Sequence, residues 1–224
     1  GTFRNTTTTV IKGTKAGGSG DENGMGAAVG DFDNDGDLDW FVSSIVDDRD
    51  RADFTNPMTG TNFNWGSSGN RFYRNDGQGS FSDLTDFTGT RAGGWGWGSC
   101  FADFNNDGLL DLFQVNGYDS ASKSYTTPFE NDPSRLFIND NAGAFLERAQ
   151  ELGIADKGQG RGIVCFDYDR DGDIDIFVAN NRQAPLLFEN RGLSAHWLHV
   201  KVAGELLNTE AVGARVYVTA GGST

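Results

Sequence analysis

The sequence predicts an all-β protein made of repeated four-stranded units. An acidic nine-residue loop occurs three times, starting at residues 31, 103 and 167, and an apolar run follows each copy. Each unit holds about four short runs of β-forming residues bounded by Gly, Asn and Asp, without a helical period of useful length. The 224 residues include 32 glycines, 17 phenylalanines and 5 tryptophans, which suits tight turns around a bulky aromatic core. Four strands per unit, repeated along the chain, is the sequence form of a β-propeller blade.

The acidic loops have the spacing of a site for a hard cation. Each loop reads D-x-[DN]-x-D-G-x-x-D, so side-chain oxygens at positions 1, 3, 5 and 9 can converge on one point with the backbone carbonyl of position 7. Glycine at position 6 permits the sharp turn around the ion. The predicted side-chain ligands are Asp31, Asp33, Asp35 and Asp39 in loop 31–39, Asp103, Asn105, Asp107 and Asp111 in loop 103–111, and Asp167, Asp169, Asp171 and Asp175 in loop 167–175. The predicted carbonyl ligands are those of Asp37, Leu109 and Asp173.

Three Ca²⁺ sites are the prediction, and two other interpretations of the loops fit less well. An EF-hand would place a bidentate Glu at position 12, where this chain has Val42, Gln114 and Val178. Solvated Asp-Gly turns would not require Asp at positions 1, 5 and 9 in all three copies. Ca²⁺ is preferred to Mg²⁺ because Mg²⁺ keeps several waters and a strict octahedron.

The repeated unit extends well beyond the loop. A Gly-x-Gly sequence precedes each copy at residues 24–26, 96–98 and 160–162, and a second module ending in Asn follows at 71–75, 136–139 and 186–190. Gly-x-Phe sequences stand at residues 1–3, 79–81 and 143–145. Insertions at 45–70 and 117–134 make the unit longer than the ~40–45 residues of a WD-type blade.

These residues resemble FG-GAP/VCBS repeats, the calcium-loop blades of integrin α-chain propellers and of many bacterial secreted proteins. The resemblance covers residues 1 to about 190 and implies antiparallel blades of four strands. The implied division places the last strand of a preceding blade at 1–19, a blade at 20–89, a second at 90–155 and a third at 156–190. Since propellers have at least about four blades, we expect the chain to be a segment of a larger propeller.

Residues 191–224 resemble the opening of an ASPIC/UnbV domain, a β module that often follows such repeats. The resemblance rests on Trp197-Leu-His-Val200 and on Gly213-Ala-Arg-Val216, with Val202 where that family has Leu.

The two cysteines are expected to be small buried apolar residues. Cys100 lies three residues before Asp103 and Cys165 two residues before Asp167, so on equivalent strands they face opposite sides. An intrachain disulfide is therefore not expected, and a buried free Cys behaves as a small hydrophobe.

Other residues give weaker signals. Trp95 and Trp97 could present their rings to a sugar, or Trp97 could face a variable surface or the central channel. His196 and His199 are poorly placed for a metal because i and i+3 point to opposite faces of a strand, and residues 47–51 form a charged loop tip. The sequence has no catalytic motif of the G-x-S-x-G or H-E-x-x-H type, so we expect no enzyme activity in this chain.

The net charge of the chain limits the classes of partner that it can bind. The formal net charge is −14 and the isoelectric point is near 4.4, so a nucleic-acid backbone would be repelled. The sequence contains no stretch of ~20 apolar residues that would predict a membrane span.

The expected function is a secreted or cell-surface, calcium-binding propeller scaffold for recognition of protein or glycan, including cell adhesion. The alternatives are a structural subunit of an extracellular assembly, with neighbouring subunits as partners, and an accessory propeller of a polysaccharide-active enzyme.

Overall fold

The computed structural model describes residues 2–4, 6, 11–12, 24–46, 69–118, 129–192, 197–198, 200–205 and 207–219. It confirms the all-β prediction: three sheets follow one another along the chain, and in these ranges the only helix is a four-residue turn. Their strands are β1 (Ile11–Lys12), β2 (Gly26–Gly30), β3 (Asp39–Ser43), β4 (Arg71–Asn75) and β5 (Phe81–Asp83), then β6 (Gly96–Ala102), β7 (Asp111–Asn116), β8 (Arg135–Asn139) and β9 (Phe145–Glu147), then β10 (Gly160–Phe166), β11 (Asp175–Asn180) and β12 (Leu186–Phe188). The helix is α1 (Thr85–Thr88).

Each sheet is an antiparallel meander of the kind expected for a blade. The orders are β2-β3-β4-β5, β6-β7-β8-β9 and β10-β11-β12, so the third sheet has three strands in the described part of the chain. The short β1 adds to the outer edge of the first sheet by pairing parallel to β5. The assignment of residues 1–19 to a preceding blade, like the other domain bounds, stays a prediction.

Neighbouring blades pack face to face through apolar cores. The core between the first two blades is aromatic, with Phe41 and Phe72 fully buried against Leu112 and Phe137. The core between the second and third blades contains Phe113, Val115, Ile176 and Val178. This packing requires bulky residues on both faces of the middle blade, which explains why all six residues of β7 are buried.

The second glycine of the first two Gly-x-Gly sequences lets the inner strands of neighbouring blades approach one another. A Cβ on Gly26 would collide with the carbonyl of Trp97, and one on Gly98 would lie 2.6 Å from the carbonyl of Arg161. Any larger residue at these two positions would push the neighbouring blade away.

The expectation for the cysteines is wrong, because Cys100 in β6 and Cys165 in β10 form a disulfide with their Cα atoms 6.6 Å apart. The expectation assumed that β6 and β10 contact each other through the same face of their sheets. In a stack of similar sheets, each sheet meets the next through its opposite face. Residues that point to opposite faces of equivalent strands therefore meet between neighbouring blades. Cys100 and Cys165 are such a pair, so they can form a disulfide.

Within the described ranges, no helix combines the length and the apolar character that a membrane crossing requires.

Candidate metal centres

The three acidic loops lie side by side at one edge of the blades. Each connects the first strand of a blade to its second, between β2 and β3, β6 and β7, and β10 and β11. Their position-4 asparagines link them: Asn34 Nδ2 donates to the carbonyl of Gly108 at 2.9 Å, and Asn106 Nδ2 donates to Asp173 Oδ1 at 2.6 Å. The candidate sites therefore form one connected row.

The same backbone shape recurs in all three loops. Position 4 has a left-handed conformation, with φ of 56° at Asn34, 56° at Asn106 and 67° at Arg170. Position 6 is a glycine with φ between 89° and 96° in every copy, which a residue with a Cβ would rarely adopt. Two left-handed residues separated by one turn the chain back on itself around a common centre.

The position-1 carboxylates hold this shape. Asp31 accepts the N–H groups of Asp35 and Gly36 at 3.0 and 2.9 Å, one on each oxygen. Asp103 and Asp167 make the same two contacts in their own loops. Each carboxylate oxygen has a further lone pair, so these bonds leave capacity for a cation.

The position-9 carboxylates are buried junctions. Asp39 accepts the N–H of Phe32 at 3.1 Å and the N–H of Asn75 at 2.8 Å, and so ties the loop to β4. Asp111 and Asp175 do the same with Phe104 and Asn139, and with Tyr168 and Asn190. All three aspartates are at most 1% exposed, so the structure places a charge where only hydrogen bonds or an ion can compensate it.

In the first and third loops, the carboxylates of positions 1, 3 and 9 come together. One oxygen each from Asp31, Asp33 and Asp39 lies within 4.8 Å of the others, and the same holds for Asp167, Asp169 and Asp175. Ligands at ~2.3–2.6 Å from one Ca²⁺ can be at most about 5 Å apart, so both groups fit around a single ion. Asp35 and Asp171 stand outside the groups and accept the N–H of position 7 instead.

The middle loop differs because Asn105 replaces an aspartate. Its Nδ2 donates to Asp107 Oδ2 at 2.9 Å, while its Oδ1 accepts the N–H of Asp107 at 3.0 Å. Among the described residues, Asp103, Asp107 and Asp111 do not form a three-carboxylate group like the other two. To bind an ion here, Asn105 and Asp107 would have to give up the hydrogen bond between their side chains and contact the metal instead.

The position-7 side chains point to neighbouring segments. Asp37 Oδ1 lies 3.4 Å from the guanidinium of Arg215, and Asp173 accepts Asn106 as described above. This leaves the carbonyls of Asp37, Leu109 and Asp173 as the available donors of that position. Their binding to calcium, like that of the twelve side-chain ligands, stays a prediction.

Burial and mutual repulsion raise the pKa of several loop carboxyls. Burial raises the pKa of Asp39 to about 6 and that of Asp111 to about 7, against the opposing effect of their two N–H donors. Burial is also the largest cause of the raised pKa of Asp33, Asp103 and Asp169. A bound cation would reverse this direction, because opposite charge favours the carboxylate.

Sequence reasoning missed the role of the asparagine that ends each second module. Asn139 Nδ2 donates to the carbonyl of Phe32 at 3.0 Å, and Asn190 Nδ2 donates to that of Phe104 at 2.8 Å. Each therefore reaches the loop of the preceding blade. The threefold recurrence of Asn at this place was the available signal.

The two tryptophan candidates do not form an open site in the described part of the chain. Trp95 stacks on Tyr118 with ring centroids 4.2 Å apart, and the guanidinium of Arg161 lies 3.9 Å from the ring centre of Trp97. These contacts cover ring faces that a sugar would need. His196, His199 and residues 47–51 lie outside the described residues.

Comparison with known proteins agrees with this geometry. A family model described as FG-GAP-like repeat matches residues 61–113 and 125–197. Cartilage acidic protein 1 from Mus musculus is 42% identical over 52 residues, which are 23% of this chain and 8% of the relative. The Xenopus tropicalis protein of the same name is 39% identical over 62 residues, or 27% of this chain and 10% of the relative. The matched segments thus span a tenth or less of these relatives.

The family match covers more than half of the 224 residues. The two matched stretches contain the second and third acidic loops, which share one backbone shape with the first. The chain therefore belongs to the FG-GAP-like repeat family.

Proposed function

We propose that this chain is a calcium-binding β-propeller scaffold that works outside the cytoplasm and holds one Ca²⁺ in each acidic loop. The observation that carries the proposal is the grouping of three carboxylates within 4.8 Å in the first and third loops. Carboxylate and carbonyl oxygens in a flexible loop are the ligands that Ca²⁺ prefers.

A bound Ca²⁺ would stabilise the fold in this proposal. The buried position-9 carboxylate holds the loop to the third strand of its blade, and the ion would neutralise its charge. In the second and third blades, Asn139 and Asn190 also donate to the preceding loop, so order in one loop supports the next blade. For affinities of ~10–100 μM and ~1 mM calcium, each site stabilises the fold by about 1.4–2.7 kcal/mol.

Two observations support an extracellular location. The Cys100–Cys165 disulfide is a bond that persists in oxidising compartments. The chain is also similar to proteins named cartilage acidic protein 1.

We propose recognition of a protein or glycan, rather than catalysis or nucleic-acid binding, as the role of the scaffold. The loop edge and the C-terminal segment 213–218 enclose an open groove of about 1240 Å³. Acidic side chains such as Asp35 and Asp107 line one wall, and Arg215 and Tyr217 line the other. Calcium in these loops would offer coordination to ligand carboxylates or hydroxyls.

We also propose that residues 191–224 are the opening of an ASPIC/UnbV-like module.

Calorimetric titration of the decalcified protein tests the calcium proposal. Three Ca²⁺ per chain are expected, with Mg²⁺ binding more weakly. A variant with Asp31→Asn and Asp33→Asn is expected to bind two. Absence of binding at millimolar calcium in a folded protein would overturn the proposal.

A second candidate function, a structural subunit of an extracellular assembly, is favoured by a separate observation. Apolar side chains are exposed on the outer faces of the first and third blades.

A further inference from the structure

A small polar pocket lies between the second and third blades, at the edge opposite to the acidic loops. Strand β7 starts at the loop residue Asp111 and ends at Asn116, and β10 starts at Gly160 and runs towards the third loop. Residues just after β7 and just before β10 therefore lie at the far edge. The pocket has a volume of about 260 Å³. Its walls come from residues 117–118 and 130–131 of the second blade and from residues 157–159 and Gln183 of the third.

The equivalent place between the first two blades is filled by apolar side chains. Counted from the first residue of the preceding strand, Ile45 after β3 and Gly117 after β7 hold equivalent positions. Trp95 and Gln159 are also equivalent, since each stands directly before the Gly-x-Gly sequence of its blade. Ile45 and Trp95 are bridged and belong to one buried cluster with Phe129. At the second junction a glycine and a glutamine replace the isoleucine and the tryptophan, so this junction has open space with polar walls.

Gln183 shows how the third blade leaves a polar group unused. Asp132 and Gln183 are equivalent, each seven residues before the asparagine that ends its module. Each accepts, at 2.7 Å, the backbone N–H of the residue before the Gly-x-Gly sequence of its blade. The other oxygen of Asp132 accepts a hydrogen bond from Arg135 at 3.1 Å. Leu186 stands in the place of Arg135 in the third blade, so the Nε2 of Gln183 has no partner in the described part of the chain.

Other side chains of the pocket have the same spare capacity. The Oε1 of Gln159 accepts the Nδ2 of Asn181 at 3.2 Å, which leaves its own Nε2 without a partner among the described residues. Within those residues, the side chains of Glu130, Asn131 and Lys157 form no hydrogen bond or ion pair. One carboxylate and one ammonium give the walls a formal charge of zero, although the whole chain carries −14. The pocket thus combines unused donors and acceptors without a net charge.

The wall at Gly117 is held in place from both blades. Its carbonyl accepts the Nε1 of Trp97 at 2.9 Å and the Nη1 of Arg161 at 3.0 Å. Gly117 has a φ of 113°, and a Cβ there would lie 2.6 Å from the carbonyl of Gly158. A wall that is fixed before binding avoids part of the ordering cost of binding.

We propose that this pocket binds one neutral sugar unit of a glycan. Sugar hydroxyls both donate and accept hydrogen bonds, as do the side-chain amides of Gln159, Gln183 and Asn131. Apart from Tyr118, the lining has no apolar side chain, which disfavours an apolar protein side chain as the occupant. The walls have no net charge to attract an acidic or a basic ligand. The volume is below the ~300–1,000 Å³ of sites for drug-sized ligands, which suits a single sugar unit.

The proposed site is separate from the calcium loops and from the groove beside them, and it goes beyond the function proposed for those regions. NMR titration of the ¹⁵N-labelled 224-residue chain in calcium tests it. The probes are the methyl glycosides of glucose, galactose, mannose and N-acetylglucosamine, and the side-chain NH₂ signals of Gln159 and Gln183 report from the pocket. At least one glycoside is expected to shift both signals saturably, with a Kd on the order of 1 mM, as ordinary ligand efficiency gives for one sugar. Glucuronate, which is acidic, and glycine, which is zwitterionic, are expected to shift them more weakly.

Variants assign the binding to the pocket. Lys157→Ala removes a side chain without internal contacts and is expected to weaken binding about tenfold, as expected for the loss of one hydrogen bond from a charged group. Gln159→Trp places at this junction the side chain that fills the first one, and it is expected to abolish binding. Gln150→Ala is the matched control, because Gln150 is exposed and lies outside the pocket; its affinity is expected to equal that of the wild type. A dispersed NMR spectrum shows that each variant is folded.

Three results would overturn the proposal. One is the absence of saturable shifts with all four glycosides. The second is binding of glycine or glucuronate that equals or exceeds binding of every glycoside, which would assign the pocket to a charged ligand. The third is wild-type affinity in a folded Gln159→Trp variant. Calcium binding is measured by calorimetry on the same samples, so each of these results would leave the calcium proposal standing.

Discussion

At the scale of single residues, position in the loop decides what each aspartate does. Asp31 shapes the turn, Asp39 joins the turn to the sheet, and Asp37 turns outward to Arg215. The repeated sequence predicts the convergence of positions 1, 3 and 9 in the first and third loops, because the spacing is local, but position 5, which it also predicts to converge, lies outside both groups. It does not predict the contacts of Asp37, because its partner lies 178 residues away.

The outward position of Asp37 leads to a prediction about affinity. Asp37→Ala is expected to change the calcium affinity of the first loop by only a few-fold, since it removes a charge that does not contact the ion. Asp33→Ala removes a carboxylate of the three-membered group and is expected to weaken binding much more. Titration calorimetry of the two variants compares them, and equal losses would refute the carbonyl assignment of position 7.

The raised pKa values of Asp39 and Asp111 predict how stability depends on pH without calcium. A carboxyl whose folded pKa is about 6 or 7, against about 3.9 when unfolded, binds more protons in the folded state. Its contribution to stability is fully present below the unfolded value and is lost as pH rises through the folded value.

Urea unfolding of the decalcified protein is therefore expected to show higher stability at pH 5.5 than at pH 7.5. With saturating calcium the order is expected to reverse, because protons then compete with the ion. A calcium-free protein that is more stable at pH 7.5 than at pH 5.5 would contradict the pKa directions.

At the scale of elements, the sequence predicted features that neighbouring residues determine better than it predicted contacts between separate elements. The acidic loops and the apolar runs after them predicted the turns and second strands correctly, because period and turn chemistry act over a few residues. The disulfide was missed because pairing between blades depends on which faces meet. The asparagine that ends each second module recurs in the sequence, but the bonds of Asn139 and Asn190 to the preceding loops exist only once two blades pack together.

The disulfide joins two inner strands that are 65 residues apart in sequence. Replacing both cysteines by serine is expected to lower the free energy of unfolding by about 2–4 kcal/mol, since a long loop is no longer closed in the unfolded chain. Denaturant unfolding of the variant measures this, with the reduced wild type as a second reference. Two free thiols in the untreated, unfolded protein would contradict the pairing.

The middle loop is expected to bind calcium most weakly. It offers three carboxylates and one amide, and ligand charge tunes affinity. Its Asn105 is also bonded to Asp107. On graded EGTA titration followed by site-resolved NMR, this loop is expected to empty first, and Asn105→Asp is expected to tighten it. Emptying last would mean that loop rigidity outweighs ligand charge.

At the scale of the whole molecule, the three loops lie in one row and share hydrogen bonds, so their ions act on one structure. The formal charge of −14 opposes compaction. Three dications would reduce this repulsion as well as hold the individual turns. Removal of calcium is therefore expected to weaken all the described blades together rather than one loop alone.

Thermal unfolding measures this combined effect. Summed over three sites, calcium at ~1 mM is expected to stabilise the fold by about 4–8 kcal/mol, which corresponds to a rise in Tm on the order of 10–30 °C for a chain of this size. Calorimetric scans in calcium and in EGTA, with magnesium at the same concentration as the control, compare the states. A single transition that moves with calcium is expected because the loops are coupled through Asn139 and Asn190. If Tm were the same with and without calcium, or if magnesium raised it equally, the loops would not be calcium-specific sites that stabilise the fold.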